Sequence, residues 1–223
     1  RRSFDLLEEF GSDRVLDTPL AENLIAGMSI GMAAEGLKPV CEIQFSGFSY
    51  ATIDQIINHA SRLRHRTRGR LSCPMVLRTP CGAGIHPPEH HSESPEAMFA
   101  HIPGIRVVYP SSPRRAYGLL LAAIRDPDPV VFLEPTRLYR LFKEEVVDDG
   151  ETGLVFATLD DLRAAAFRAL AEEVDARLDG VRREARPLGL HDVDLVLDPR
   201  GVVRPDLGAE AVLERRDDAA AVR

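Results

Sequence analysis

Residues 14–67 have the sequence RVLDTPLAENLIAGMSIGMAAEGLKPVCEIQFSGFSYATIDQIINHASRLRHRT. This stretch predicts a helix, a short buried strand and a second helix. Thr18 and Pro19 suit a helix N-cap and the first helical position, and Gly36 suits the residue just past the helix end. Residues 40–45 form the strand candidate. Isoleucines at positions 53, 56 and 57 share one face of a helix expected over residues 51–63.

The alternation continues along the chain. We predict strands at 74–78, 106–109 and 130–133, helices at 95–100 and 114–124, and a loop rich in Gly, Pro and His at 79–94. Strands that alternate with helices indicate βαβ units and therefore a parallel sheet. The expected fold class is α/β, a parallel sheet with helices on both faces.

The character of the sequence changes after Gly150. A periodic pattern of leucine and alanine predicts a long helix over 159–186, followed by a short strand at 193–197 and a charged, Ala-rich end. We therefore expect two parts: an α/β domain over residues 1–150, and a mostly helical tail of unknown role over 151–223.

Composition excludes several classes of function. Of 223 residues 44% are hydrophobic and 28% are charged, which is an ordinary globular balance. The formal net charge of −7 gives no electrostatic support to a nucleic-acid partner. No stretch approaches the ~18–20 apolar residues of a membrane span, and no secretory leader is evident. Three cysteines without a CxxC pair favour a reducing, cytoplasmic location.

Several motifs point to one family. Residues 14–67 are followed by CPMVLRTPCGAG at 73–84, EHHSESPEAMF at 89–99 and SSPRRAYGLLLAAIRDPDPVVFLEPTRLYR at 111–140. Over residues 11–142 the chain resembles the pyrimidine-binding domain in the β-subunit of thiamin-diphosphate-dependent 2-oxoacid dehydrogenases, which are transketolase-like. The resemblance implies oxidative decarboxylation of pyruvate, or of a branched-chain 2-oxoacid, with acyl transfer to a lipoyl group.

Glu22 is the first candidate catalytic residue. By the resemblance it occupies the position of the glutamate in a DTPxxE motif, which shares a proton with N1′ of the thiamin aminopyrimidine. On a helix, Glu22 would share a face with small residues such as Ala26 and Ser29, off the apolar stripe of Leu20 and Leu24. The alternative is a carboxylate that only stabilises the start of a helix.

Phe48 and Gln44 are candidate cofactor-binding residues. By the resemblance Phe48 stacks on the aminopyrimidine, and Gln44 precedes it by a short length of extended chain. The alternative for Phe48 is ordinary packing in the core.

His91 is the second candidate catalytic residue, because it is the histidine of an HSxS motif that lies near the thiazolium and the incoming lipoyl group in the family. A histidine there could stabilise charge or carry a proton, since its ordinary pKa is near neutrality. One alternative is a solvated loop histidine. Another is a metal site, as in a metallohydrolase, built from Glu89 and two or three of His86, His90 and His91, although adjacent histidines beside two prolines do not suit zinc.

The resemblance also implies a set of cofactors and partners. A potassium ion bound mainly by backbone carbonyls would match Met75, Ala123, Ile124, Asp126 and Asp128, although a plain helix stop explains the same residues. The chain lacks the GDG motif that holds magnesium and the diphosphate, so both would be held by an α-subunit. The implied assembly is an α2β2 hetero-oligomer that serves a lipoyl-bearing acyltransferase.

A non-catalytic alternative remains open at this level. The family's β-subunit has a longer start and a second α/β domain, and neither is evident in this sequence. The chain could therefore be a truncated or chimeric remnant that retains the fold and its partner contacts. An unrelated fusion, a frameshift or a diverged tail would each explain residues 151–223.

Overall fold

The computed structural model describes residues 2–84, 86–139, 141, 144, 195–197 and 203–205. The helices are α1 (Arg2–Phe10), α2 (Glu22–Ala34), α3 (Leu63–Arg66), α4 (Glu96–Ala100) and α5 (Pro113–Arg125). The strands are β1 (Val40–Glu42), β2 (Val76–Cys81), β3 (Arg106–Val108), β4 (Val130–Pro135), β5 (Leu195–Leu197) and β6 (Val203–Pro205).

The first four strands form one sheet in the order β1-β2-β4-β3, and every pair in it is parallel. The expected α/β fold with a parallel sheet is confirmed.

Helices cover both faces of this sheet. Successive side chains of a strand point to opposite faces. Leu77, Val131 and Leu133 pack in one core with Ile56 and Phe99, which come from the helical segments after β1 and β2. Val130 and Phe132 face the other way and are also buried, as is the inward side of α5. Two covered faces explain why β4 is buried along its whole length.

Helix α2 begins later than the sequence predicts. The assignment of Thr18 as N-cap and Pro19 as first helical residue is wrong, because the helix starts at Glu22 with Ala21 as its N-cap. The Pro19 carbonyl accepts a bond from the Ala21 N–H at 2.8 Å, in a tight turn around Leu20. This turn takes the chain off the helical path just before the helix.

The end of α2 agrees with the prediction. The helix stops at Ala34, and Gly36 adopts a φ of 95°. The Gly36 N–H donates to the Ala33 carbonyl and the Leu37 N–H donates to the Met32 carbonyl, each at 3.0 Å. This pair of hydrogen bonds is the Schellman motif, which needs a residue in the left-handed conformation and therefore favours glycine.

The segment after β1 is an irregular helical run rather than the regular helix predicted at 51–63. It comprises a 3₁₀ turn (Ser46–Thr52), a π-helical turn (Gln55–His59), a second 3₁₀ turn (Ala60–Arg62) and α3. Ser49 donates its hydroxyl proton to the Ser46 carbonyl, and Thr52 donates to the Ser49 carbonyl. Hydroxyls that bond back three residues compete with the regular helical ladder, so the first turn is tight.

A buried ion pair joins the two central strands. Arg78 of β2 donates to both carboxylate oxygens of Glu134 on β4, and both side chains are almost fully buried. Tyr139 also donates to Glu134, at 2.5 Å. Both strands run further than the sequence predicts, to Cys81 and Pro135.

The chain divides into two compact units, residues 1–169 and 170–223. In the second unit, β5 and β6 pair antiparallel, and β5 falls within the strand predicted at 193–197. The long helix predicted at 159–186 lies outside the described residues. Within the part of the chain that the structure describes, no helix is long and apolar enough to cross a membrane.

Candidate functional site

The predicted site residues lie on segments that leave the carboxyl ends of the strands. Phe48 follows β1 and His91 lies in the loop that follows β2. Thr136 follows β4, and its hydroxyl donates to the Gly82 carbonyl at 2.9 Å, which ties the ends of β4 and β2 together. In open parallel sheets, ligands bind at this carboxyl edge.

His91 packs into a pair of phenylalanine rings. Its ring centroid is 4.6 Å from that of Phe45 and 5.4 Å from that of Phe48, with interplanar angles of 63° and 82°. The two phenylalanine rings are themselves 6.4 Å apart, edge to face. The structure therefore brings together two of the predicted residues, Phe48 and His91, and adds a third ring that the sequence did not single out.

The imidazole of His91 also has a defined hydrogen bond. Its Nδ1 lies 2.9 Å from the backbone carbonyl oxygen of Glu89. A carbonyl only accepts, so Nδ1 carries the proton and Nε2 is the basic nitrogen of the neutral ring. The ring edge bearing Nε2 is the one available to accept or deliver a proton.

Backbone and side-chain bonds of Glu93 hold the histidine loop against the 3₁₀ turn. Its carbonyl accepts bonds from the Ser46 hydroxyl and the Gly82 N–H, each at 2.8 Å. Its carboxylate accepts a bond from the Tyr50 hydroxyl at 3.0 Å. Burial, followed by this bond to Glu93, raises the pKa of Tyr50. The loop is thus fixed at its carboxyl-terminal end.

Glu22 is the first residue of α2, and its side chain is half buried. The next residue, Asn23, donates to the Ala51 carbonyl at 3.3 Å and accepts a bond from Gln55 at 3.4 Å. These bonds place the start of α2 against the helical run that contains Phe48. Ala26, Ser29 and Ala33 are buried on the same helix, as their small side chains predict. Gln44 lies two residues after the end of β1 and is exposed.

The residues predicted for potassium lie at the amino ends of the strands. Met75 precedes β2, Ala123 and Ile124 are in the last turn of α5, and Asp126 and Asp128 form the turn before β4. The Met75 carbonyl accepts from the Val130 N–H at 3.0 Å, and the Ala123 carbonyl from the Asp126 N–H at 3.3 Å. A carbonyl oxygen has two lone pairs, so each can still face a cation.

The two carboxylates in that turn have arginine partners. Arg106 Nη1 lies 2.5 Å from Asp126 Oδ1, and Arg64 Nε lies 2.6 Å from Asp128 Oδ1. Any cation at this place would therefore rely on backbone oxygens rather than on carboxylate charge.

The metal-site alternative for the histidine loop finds no support. His86, Glu89 and His90 are exposed, and Glu89 contacts His90 Nε2 at 3.3 Å. Among the described residues there is no group of three or more His, Cys, Asp or Glu side chains able to hold a metal ion.

Sequence reasoning missed three contributors to the site, namely Phe45, Gly47 and the backbone of Glu93. Phe45 is an ordinary strand-end residue by its sequence. Backbone carbonyls leave no mark in the side-chain pattern. Gly47 was the one residue that the sequence could have pointed out, since a glycine next to a strand often marks a place where another backbone approaches closely.

Comparison with known proteins agrees with this geometry. The family described as "Transketolase, pyrimidine binding domain" matches residues 1–141. The pyruvate dehydrogenase E1 component subunit beta of Acholeplasma laidlawii is 46% identical over 196 residues, covering 85% of this chain and 59% of that protein. The corresponding subunit of Bacillus subtilis is 49% identical over 152 residues, covering 68% and 47%. The 2-oxoisovalerate dehydrogenase subunit beta of Bacillus subtilis is 51% identical over 144 residues, covering 65% and 44%.

The chain spans about half the length of the curated relatives that it matches. The match to the Acholeplasma protein covers 85% of this chain, more than residues 1–150 alone can supply, so it extends into the part where the sequence by itself offered no resemblance. The family match, the parallel sheet and the site at its carboxyl edge agree with one another. The chain belongs to the transketolase pyrimidine-binding domain family.

Proposed function

We propose that this chain is a β-subunit of a thiamin-diphosphate-dependent 2-oxoacid dehydrogenase and works with an α-subunit to decarboxylate pyruvate or a branched-chain 2-oxoacid. The acyl group would pass to the lipoyl group of an acyltransferase. The observation that carries the proposal is the packing of His91 on Phe48, 5.4 Å between centroids, on the helical run that adjoins the start of α2 at Glu22.

The residues present fit an aminopyrimidine. Phe48 is half buried, so its ring is partly open to a flat heteroaromatic partner, and offset stacking of such rings contributes about 0.5–1.5 kcal/mol beyond burial. Glu22 is half buried at the first position of α2, where a carboxyl group can approach a ring nitrogen. An aromatic face and a carboxylic acid are the two elements that such a ring requires, and Asn23, next to Glu22, bonds to the helical run that carries Phe48.

Thiamin diphosphate, when bound, supplies the carbanion chemistry that cleaves the bond to the carboxylate. Glu22 would hold a proton at N1′ of the aminopyrimidine, Phe48 would orient the ring, and Gln44 would border it. His91 would present Nε2 to the reacting groups, because Nδ1 is bound to the Glu89 carbonyl. General acid–base help of this kind contributes about 10²–10⁴-fold in rate.

The surface beside Glu22 suits a partner subunit. Leu16, Leu20 and Leu24 are 52%, 83% and 52% exposed, and the last two lie on the stripe that the sequence predicted for α2. Leu24 lies on α2, whereas Leu16 and Leu20 lie on the segment that leads into it, and a group of exposed leucines close in sequence favours an interaction surface. We propose that the α-subunit covers this face, in an α2β2 assembly, and brings magnesium and the diphosphate-binding residues beside Glu22.

The choice of substrate stays open between two classes. The relatives that act on pyruvate and the one named for 2-oxoisovalerate are 46–51% identical to this chain, so identity does not separate the two substrates. We keep pyruvate as the first candidate and a branched-chain 2-oxoacid as the second.

We also propose a structural potassium ion and a cytoplasmic location. The ion would be held by the carbonyls of Met75, Ala123, Ile124, Asp126 and Asp128, residues that lie before β2, at the end of α5 and before β4. The location rests on the free state of the three described cysteines, all of them buried.

The decisive experiment co-expresses the full chain with a pyruvate dehydrogenase α-subunit. Thiamin-dependent reduction of an artificial electron acceptor is measured with pyruvate and, separately, with 2-oxoisovalerate. We expect activity with one of them, and a loss of about 10²-fold or more in Glu22→Gln, since the amide cannot share a proton with N1′. Glu35→Gln is the matched control, because it makes the same change at the exposed far end of the same helix.

Two outcomes would overturn the proposal. One is full activity in Glu22→Gln, which would remove the proton role of that residue. The other is a chain that binds the α-subunit tightly and yet shows no thiamin-dependent turnover, which would favour the non-catalytic remnant.

A further inference from the structure

The backbone of the histidine loop lies directly on the 3₁₀ turn at Gly47. A Cβ added to Gly47 would lie 2.2 Å from the carbonyl oxygen of His90 and 2.9 Å from its carbonyl carbon. Real Cβ atoms do not tolerate such distances, and the obstacle is backbone rather than the end of a flexible side chain. Any side chain at this position would therefore push the loop away from the turn.

His90 adopts a left-handed backbone conformation at this contact, with a φ of 66°. Such a conformation costs energy for a residue with a side chain, and it persists only where the surroundings impose it. The reversal at His90 places the Glu89 carbonyl within 2.9 Å of Nδ1 on His91. The same reversal turns the His91 ring onto Phe45 and Phe48.

From these contacts we infer that Gly47 and Phe45 are positioning residues for His91. Gly47 admits the backbone at His90, the Glu89 carbonyl fixes the Nδ1–H tautomer, and the edge of Phe45 sets the plane of the ring. The Nδ1–H tautomer, in which Nε2 is the basic nitrogen, is then the favoured form of the neutral ring. This inference rests on the proposed function only where it assigns a purpose to the arrangement, because the tautomer itself is independent of catalysis.

The arrangement has a physical advantage for a proton-transferring histidine. A free neutral imidazole exchanges between two tautomers and rotates about its side-chain bonds, so the correct nitrogen faces the reaction only part of the time. A hydrogen bond to the opposite nitrogen removes this uncertainty. Two aromatic neighbours restrict the rotation that the hydrogen bond alone would allow.

Nitrogen-detected NMR of the full chain tests the tautomer directly. Long-range proton–nitrogen correlations distinguish a protonated ring nitrogen from an unprotonated one, and a spectrum of His91→Gln identifies the signals of His91 among the seven histidines. We expect a single Nδ1–H form in the unaltered protein. In Gly47→Ala we expect a mixture of tautomers with averaged shifts, because the loop must move. Gly118→Ala is the matched control, since no atom lies within 4 Å of its added Cβ.

Phe45→Leu provides a second test, which does not require the protein to fold with a side chain at position 47. This variant removes the ring contact but keeps an apolar side chain, so the fold should survive. We expect the hydrogen bond at Nδ1 to remain and the ring signals of His91 to broaden through motion. An Nε2–H tautomer in the unaltered protein, or unchanged His91 signals in both variants, would overturn the inference.

The catalytic consequence separates this inference from the proposed function. In the α-subunit complex, Gly47→Ala should lower kcat at least about 10-fold, while Gly118→Ala leaves it unchanged. If the NMR result holds and the complex shows no thiamin-dependent activity, the positioning stands and the proposed function fails. If activity is present and Gly47→Ala does not change kcat, the arrangement does not serve catalysis.

Discussion

Removal of one partner from the buried ion pair should destabilise the protein strongly. Arg78 and Glu134 are 5% and 3% exposed, so neither charge can recover hydration if the other is removed. Glu134→Gln preserves the shape of the side chain but removes its charge. Breaking a buried pair in this way costs about 3–5 kcal/mol.

The structure allows that figure to be worked out from individual contacts. Glu134 accepts two bonds from Arg78 and one from the Tyr139 hydroxyl. Glutamine keeps one acceptor oxygen and replaces the other by an NH₂ group that faces donors, so about two bonds to a charged group are lost, at about 1.5–3 kcal/mol each. Glu42, with Oε2 at 3.4 Å from Arg78 Nη1, compensates part of the loss from the half-exposed edge. We expect a net loss of about 4 kcal/mol.

Thermal and urea unfolding would be followed by far-ultraviolet circular dichroism, because the chain has no tryptophan. A loss of about 4 kcal/mol corresponds to a fall in Tm of about 8–16 °C for a protein of this size. Arg106→Met is the control. The Arg106 side chain is 57% exposed, and its partner Asp126 keeps a bond from the Asp128 N–H, so we expect a loss of less than about 1 kcal/mol.

The double variant Arg78→Met/Glu134→Leu separates charge from packing. Replacement of both partners by apolar residues of similar size is often neutral or stabilising, so we expect most of the lost stability to return. A loss below about 1 kcal/mol in Glu134→Gln would refute the reasoning. A double variant as unstable as the single variant would show that shape, not the unbalanced charge, sets the cost.

Three further predictions concern the thiols and the partner surface. Burial raises the pKa of Cys41, Cys73 and Cys81 to about 12. The native protein should therefore resist alkylation at pH 8, whereas all three thiols should react in urea. Rapid labelling of the native protein would contradict this prediction. The unfolded chain loses these protons at lower pH than the native state, so stability should fall as pH rises above the ordinary thiol pKa and towards 12. Leu20→Ser should weaken α-subunit binding at least about 10-fold by titration. Leu119→Ser, at an exposed leucine on α5, should not; equal effects would refute the surface assignment.

The sequence by itself determined the class of fold and supplied the candidate site residues. Alternation of apolar strands with helical periods is a local property, and it predicted the parallel sheet and the end of α2 at Gly36. The resemblance to family motifs pointed to Glu22, Phe48 and His91, because a motif consists of side-chain types at fixed spacings, which the sequence shows directly. Their roles in catalysis remain a proposal.

Only the three-dimensional structure, through local turns and tertiary contacts, showed how those residues are held. The start of α2 moved to Glu22 because of a turn at Pro19, and the run after β1 became irregular because its hydroxyls bond back to carbonyls of the same segment. The position of the His91 ring depends on its hydrogen bond to the Glu89 carbonyl and on the absence of a side chain at Gly47, where the loop backbone packs. Backbone oxygens are the same in every residue, so the sequence does not show which of them a side chain will contact. The approach of the His90 backbone to Gly47 exists only once these two distant segments have come together.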